Sequence, residues 1–315
     1  MKLLKNYRFS GFLFGLLFIS TACYKNEEAG SLPGTAEYEF KDDENSLLWE
    51  ISGKGLKQPS YLYGTIHIMR KEVFAYDNVV KAIFDSCRAY AMELNMADIK
   101  LEEMNKMMKL DRPLDSILPP VKYHQLDSLL KAKSGLPLSQ MKMIKPFFIM
   151  ALMMKKEIGG DMETALDLDF YDKAQKAGKK LIGIEKFEEQ MAAVDALTIE
   201  QQADLMIKGY LDTTSSMSKF EEMLESYLKQ DLPAIMKMML EDESYPPEFN
   251  EAFIIKRNKK MADRIGEISA KRMTFNAIGA AHLPGKDGVI QLLRNNGYTV
   301  KPIKFTFKKT KKEKK

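Results

Sequence analysis

The stretch Tyr61-Leu-Tyr-Gly-Thr-Ile-His-Ile-Met69 decides the fold. Tyr61, Leu62 and Tyr63 suit a pleated, buried surface, so the stretch opens as a strand. Gly64 then lets the backbone turn or approach a neighbour closely, and His67 arrives where the strand should end. Near the other end of the chain, Thr274-Phe-Asn-Ala-Ile-Gly-Ala-Ala-His282 repeats the arrangement: a strand, then Gly-x-x-His from Gly279 to His282. The chain has 3 histidines, and two of them are set in this way. The rest reads as the scaffold that brings Gly64–His67 and Gly279–His282 together.

Working outward, Leu47 to Ile51 and Ser60 to His67 predict two strands of a hairpin, closed by the loop Gly53-Lys-Gly-Leu-Lys-Gln-Pro59. Asp77 can cap a helix running to about Cys87, with Val80, Ile83 and Phe84 inward. Ala89-Tyr-Ala-Met-Glu-Leu94 is a third strand, and strand–helix–strand over this length implies parallel pairing. A large helical middle follows. Asp98–Leu110 is amphipathic, Pro119-Pro120 opens a helix to about Lys133, and Leu138–Ile158 predicts one long helix bent near Pro146. Glu163–Ala177 stops at Gly178. Lys180-Leu-Ile-Gly-Ile-Glu185 is the next strand. Helix then runs from Glu188 to about Glu241, with breaks around Thr213–Ser216 and Leu232-Pro233. Pro246-Pro247 starts a helix over Glu248–Ala270. The strand Thr274–Gly279, a helix over Gly288–Asn295 and a last strand over Thr299–Thr306 complete an α/β fold with a central mixed or parallel sheet.

Four polar side chains stand at strand ends: His67, Glu93, Glu185 and His282. Ligands of open α/β sheets sit outside the carboxyl ends of the strands, so strands of like direction would make two imidazoles and two carboxylates converge. Arg257 is a fifth candidate. Ile254, Met261, Ile265 and Ile268 form one apolar stripe at helical spacing, and Arg257 falls inside it, with Asn258 at its border. An inward charge is costly unless paired; a buried carboxylate or a substrate oxyanion would pair it. Neutral imidazoles with a carboxylate can hold a divalent cation and leave a position for water. Each residue also has a plain structural reading: a satisfied strand-end histidine, a solvated or capping glutamate, an ordinary ion pair of Arg257 with Glu93. It is the pair of Gly-x-x-His strands that favours a site. His124 sits on a polar helix and reads as surface, and Cys87 as a buried helix residue. There is no His-Glu-x-x-His and no Gly-x-Ser-x-Gly, which argues against a common zincin or an α/β-hydrolase elbow.

The ends lie outside the fold. Lys2, Lys5 and Arg8 precede an apolar run, Gly11 to Ile19, too short for a typical span of about 20 residues. Ser20-Thr-Ala-Cys23 then places small residues before a cysteine, the pattern of a signal peptide over 1–22 with lipid on Cys23. An ordinary secretory signal is the alternative. Residues 23–45 read as a tether, 46–307 as one domain large enough to bury its own core, and 308–315 as a basic, disordered tail. The 48 basic and 44 acidic residues nearly balance, so no nucleic-acid partner is expected. With Cys23 lipidated, Cys87 is the remaining cysteine, which leaves neither a disulfide framework nor a cysteine zinc site. The 22 methionines fall mostly at helical spacing (Met150, Met153, Met154; Met236, Met238, Met239) and read as core filling or an adaptable apolar groove.

Tyr-Leu-Tyr-Gly-Thr-Ile-His-Ile (61–68), Met-Glu-Leu (92–94), Leu-Ile-Gly-Ile-Glu (181–185) with Gln190, Lys-Arg-Asn-Lys-Lys-Met (256–261) and Ala-Ile-Gly-Ala-Ala-His-Leu-Pro-Gly (277–285) together resemble the TraB/GumN family, which includes the animal Tiki proteins. The motifs stand in the family's order over about Leu47 to Ile303. Ile184-Glu185-Lys186 departs slightly from the family's Leu-Glu-Thr. The resemblance implies a fold like the erythromycin esterase and ChaN group. It also implies that Gly64–His67, Gly279–His282, Glu93 and Arg257 form an active centre. Tiki proteins are described as metal-dependent proteases favouring manganese or cobalt, and zinc would suit the same donors.

The expected protein is thus a lipid-anchored peptide hydrolase of the cell envelope, at the outer membrane rather than the inner one, since Tyr24 lacks the retaining aspartate. His67, His282 and Glu93 would bind the metal, with Glu185 as base or second ligand. Arg257, with Asn258, would orient Glu93 or hold the oxyanion. The substrate would be a peptide or protein. Two alternatives stand beside it: a metal-free hydrolase with a histidine base, and a haem- or peptide-binding lipoprotein without turnover.

Overall fold

The computed structural model describes residues 45–158, 160–211, 213–240 and 245–308. The leader, Cys23, nearly all of the tether and all of the tail beyond Lys308 lie outside the described residues. Six strands form one sheet: β1 (Leu48–Gly53), β2 (Ser60–Thr65), β3 (Ala89–Met92), β4 (Lys180–Gly183), β5 (Thr274–Gly279) and β6 (Tyr298–Pro302). Their order is β4-β3-β5-β2-β1-β6. β1 and β2 make the expected hairpin, with Trp49 opposite Leu62, and β6 pairs antiparallel with the outer side of β1. The β2–β5, β3–β5 and β3–β4 pairs are all parallel.

One expectation is corrected here. The strand–helix–strand unit implied that the second and third strands pair directly, but β5 lies between them and hydrogen-bonds both. A crossover helix sets strand direction and leaves room for a later strand to enter the gap.

The helices are α1 (Asn78–Ser86), α2 (Leu101–Met108), α3 (Leu114–Ile117), α4 (Pro120–Ser134), α5 (Pro146–Ile158), α6 (Leu166–Lys176), α7 (Phe187–Asp195), α8 (Ile199–Leu211), α9 (Thr213–Leu228), α10 (Leu232–Leu240), α11 (Pro247–Asn250), α12 (Lys256–Lys271) and α13 (Val289–Asn295). Asp77 caps α1 as predicted, its carboxylate accepting the Val79 N–H at 2.9 Å. Pro146 does not bend a long helix; it opens α5, after a separate 3-10 turn at Leu138–Gln140. A proline lacks the N–H that a helix interior uses but loses nothing in the first turn. The predicted helix over Glu248–Ala270 is also divided: a π-turn, Glu251–Ile255, joins α11 to α12.

Two hydrophobic cores result. In the first, Tyr63, Tyr90 and Phe275 from three adjacent strands meet Phe84 of α1 and Phe170 of α6. The Phe275 ring centroid lies 5.6 Å from Tyr63, 5.4 Å from Phe84 and 5.2 Å from Phe170. Burying each such ring contributes about 1.5–3 kcal/mol, and favourable ring pairs add roughly 0.5–1.5 kcal/mol. Met261, Ala262 and Ile265 of α12 belong to the same core. The second core fills the helical middle, around Leu114, Leu126, Phe147, Phe148 and Val194. Met150 and Met153 are buried in it, as core filling predicts; the side chains of Met154 and Met239 lie outside those described. Cys87 is buried and His124 exposed, as read from the sequence. Among the described residues no helix is long and apolar enough to cross a membrane.

Candidate active site

Because β4, β3, β5 and β2 run in one direction, they release the chain at one edge of the sheet. The residues that follow them stand across that edge in the order Glu185, Glu93, His282, His67. The insertion of β5 sets this order, since it places His282 beside Glu93. Backbone bonds carry the β3–β4 pairing past the strands, from Ile184 N to Met92 O and from Glu185 N to Glu93 O, both 2.8 Å.

Arg257 joins the two carboxylates. It is 6% exposed and comes from the first turn of α12, just after the π-turn. Its Nε donates to Glu185 Oε1 at 2.9 Å, and one terminal nitrogen donates to Glu185 Oε2 at 2.6 Å and to Glu93 Oε2 at 2.8 Å. The other donates to the Phe253 carbonyl within the π-turn at 3.3 Å. Burial opposes its charge, but Glu185 and Glu93 outweigh burial and hold the guanidinium firmly protonated. Gln190 of α7 donates from its amide nitrogen to Glu185 at 3.0 Å and to Glu93 at 3.3 Å. Both Glu185 oxygens therefore face donors, and its side chain is fully shielded from solvent. Glu93 differs: its side chain keeps 16% exposure, and its Oε1 accepts the Gly279 N–H at 2.7 Å.

The histidines have unlike partners. Asn258 is wholly buried, and its amide nitrogen donates to the Asp287 carbonyl at 2.8 Å. That bond turns the Asn258 oxygen toward His282 Nδ1, 2.7 Å away. His282 Nδ1 thus carries the proton and Nε2 the lone pair, 3.9 Å from Glu93 Oε1. Burial, and then the charge of Arg257, push the His282 pKa down to about 3, so the ring is neutral at physiological pH. His67 Nδ1 lies 2.7 Å from Asp167 Oδ1 of α6, within ion-pair reach, and neither buried atom makes a well-aligned hydrogen bond among the described residues. Burial alone would lower the His67 pKa; Asp167, and then Glu93, outweigh it and raise it.

The motif glycines serve close approach. A Cβ on Gly64 would stand 2.7 Å from Leu283 Cδ1 and 3.2 Å from Ala280 Cα; one on Gly279 would stand 3.3 Å from Glu93 Oε1. Beside the edge is a small open cleft whose lining includes Thr65, His67, Met92, Glu93, Asp167 and Gln190.

The expected ligands His67, Glu93 and His282 share this edge. Among the described residues, however, no three His, Cys, Asp or Glu side chains are gathered closely enough to hold an ion. Glu93 is drawn toward Gly279 and Arg257 instead. The donor chemistry nonetheless fits a divalent cation. Each ring has its Nδ1 against an oxygen, the arrangement that orients metal-binding imidazoles. Two carboxylates, Glu93 and Glu185, face the Arg257 guanidinium, and a third, Asp167, faces His67.

Sequence reasoning missed Asp167, and it noted Gln190 only within a motif. A signal for Asp167 was present: it stands three residues before Phe170 and seven before Ala174, on the buried stripe of α6. The same argument had singled out Arg257.

A model of the TraB/PrgY/gumN family matches residues 47–302. Metalloprotease TIKI1 of Danio rerio is 25% identical over 321 residues, covering 82% of this chain and 63% of that protein. Metalloprotease TIKI2 of Xenopus tropicalis is 26% identical, covering 82% and 60%. Metalloprotease TIKI1 of Homo sapiens is 25% identical, covering 85% and 64%. The chain thus spans less than two thirds of the length of these relatives. No solved structure matches it.

Proposed function

The chain belongs to the TraB/PrgY/gumN family, and from that premise we propose that it is a hydrolase of peptide bonds that works with a divalent cation at the strand-end cluster. The donor set carries the reading: two imidazoles, each with its Nδ1 against an oxygen, stand at one sheet edge beside Glu93, the arrangement that orients metal-binding rings. His67, His282 and Glu93 would hold the cation, with manganese, cobalt or zinc suiting the donor set. When bound, such a cation supplies Lewis acidity to a water and to the substrate carbonyl. The protein's own groups do the rest. Burial and Arg257 keep His282 neutral, and Asn258 fixes its tautomer so that Nε2 carries the lone pair. Arg257, Gln190 and the Gly279 N–H hold Glu93 at the cleft, where its partly exposed carboxylate can take the proton of the attacking water and pass it to the leaving amine. In this reading Glu185 positions Arg257 rather than acting as the base or second ligand expected from the sequence, since its side chain is fully shielded from solvent while that of Glu93 is not. Arg257 likewise orients carboxylates instead of holding an oxyanion.

The location proposed is the cell envelope, with lipid on Cys23 and the outer membrane as the destination. The basic leader and the small residues before Cys23 support it. Metabolic lipid labelling that persists in Cys23→Ser would overturn it.

The activity is tested on the purified full chain by metal analysis and by cleavage of a peptide library, before and after chelation. Stoichiometric metal, reduced in both His67→Ala and His282→Ala, and cleavage abolished by chelation and by Glu93→Gln are the expected results. Cleavage that survives chelation moves the reaction to the metal-free histidine-base alternative. A tightly held peptide or haem with no product moves it to the binding protein.

A further inference from the structure

Asp167 belongs to no motif that pointed to the site, yet it is placed as a functional carboxylate would be. It lies in the first turn of α6 and is 5% exposed. A carboxylate at such a position could serve as a cap or pair with a lysine. Here Oδ1 stands 2.7 Å from His67 Nδ1, and neither buried atom makes a well-aligned hydrogen bond among the described residues, so each has the other as its nearest polar group to satisfy it. The backbone around it is also held: the Tyr90 hydroxyl, from the middle of β3, donates to the Asp167 carbonyl at 2.9 Å in a buried position. Tyr90 itself is clamped between Phe84 and Phe275. The aromatic core thereby fixes the turn that carries the carboxylate.

We infer that Asp167 is a positioning residue for His67, binding its Nδ1 proton so that the Nε2 lone pair is presented at the cleft. An isolated neutral imidazole favours the proton on Nε2, so this tautomer must be imposed from outside the ring. The two strand-end histidines are then matched: Asn258 sets the tautomer of His282, and Asp167 that of His67. The placement of the proton stands on geometry alone; its consequence for cation binding rests on the hydrolase reading above.

Nitrogen-15 NMR of the full chain labelled in histidine tests this directly. The chain has 3 histidines, and the His67 signals are those lost in His67→Gln. At about pH 9, above the ordinary imidazole range, metal-free wild type should show His67 protonated on Nδ1. In Asp167→Ala the His67 proton should move largely to Nε2, with His124 and His282 unchanged. Asp167→Asn, which keeps an acceptor oxygen of the same reach, should retain more of the Nδ1-protonated form. Manganese affinity, measured by titration of the same proteins, should fall about 10–100-fold in Asp167→Ala. A wild-type His67 protonated on Nε2, a reading that needs no variant to fold, overturns the inference. So does a His67 tautomer unchanged in Asp167→Ala. If the tautomers are as stated but no metal binds and no peptide is cut, the hydrolase reading fails and the role of Asp167 stands.

Discussion

Replacing Arg257 with methionine keeps the length and apolar stem of the side chain and removes its charge. In the native protein that charge receives three hydrogen bonds' worth of carboxylate, two from Glu185 and one from Glu93. Glu185 has no solvent to fall back on, and Glu93 has little. The loss is therefore not that of an exposed pair, worth about 0–1 kcal/mol. It is the penalty of stranding a buried charge, about 3–5 kcal/mol. Against a typical stability of about 5–15 kcal/mol this is a large fraction. At about 2–4 °C per kcal/mol for a domain of this size, the melting temperature should fall roughly 6–20 °C. Calorimetry of the metal-free full chain at neutral pH measures it. The cause is separated from simple loss of packing by adding Glu185→Gln to Arg257→Met. The second change removes the stranded charge, so the double variant should recover on the order of 1–3 kcal/mol relative to additivity. A single variant melting within about 2 °C of wild type, or a double variant no better than additive, would refute the reasoning.

Three further outcomes follow from the same packing. Gly64→Ala should cost about 1–3 kcal/mol in denaturant unfolding, because the new methyl meets Leu283 and the Ala280 backbone; an unchanged midpoint would mean the strand can shift away. The Glu189 carboxyl is held down to about 2, chiefly by Arg264 and against its own burial. A depressed carboxylate contributes stability that is complete above its unfolded value and is lost as pH falls toward the folded one. Arg264→Gln should accordingly flatten the loss of stability between about pH 4.5 and 2, and identical acid profiles would exclude the contribution. Burial pushes the Cys87 thiol up to about 12, with Lys179 opposing only in part, so peptide mapping after iodoacetamide treatment should find Cys87 unmodified until the protein unfolds; labelling of the native protein at neutral pH would contradict its burial.

Much of the site was legible because its signals are local. Strand period, a following glycine and a polar residue at the strand end are read over a few positions, and they located His67, Glu93, Glu185 and His282. Arg257 was legible for a related reason: a charge inside an apolar helical stripe must be paired, whatever it pairs with. Pro120, Gly178 and Asp77 marked helix ends through backbone chemistry that acts within one turn. Pro146 was misread because a proline can kink a helix or open one, and the residues alone favoured neither.

Tertiary structure decided the rest. That β5 enters between β2 and β3 depends on hydrogen bonds between strands some two hundred residues apart, and the strand residues carry no mark of which neighbour they will take. Yet this insertion puts His282 against Glu93. The division of labour between the two glutamates was equally invisible, since Glu185 and Glu93 are told apart by how far the surrounding fold shields each from solvent. Asp167 comes from a helix a hundred residues beyond His67. The sequence by itself determined which groups stand at strand ends and which charge is turned inward, because those follow from short-range periodicity. Which of them touch, and so which atom keeps a lone pair, was settled only when long-range pairing brought their elements to one edge of the sheet.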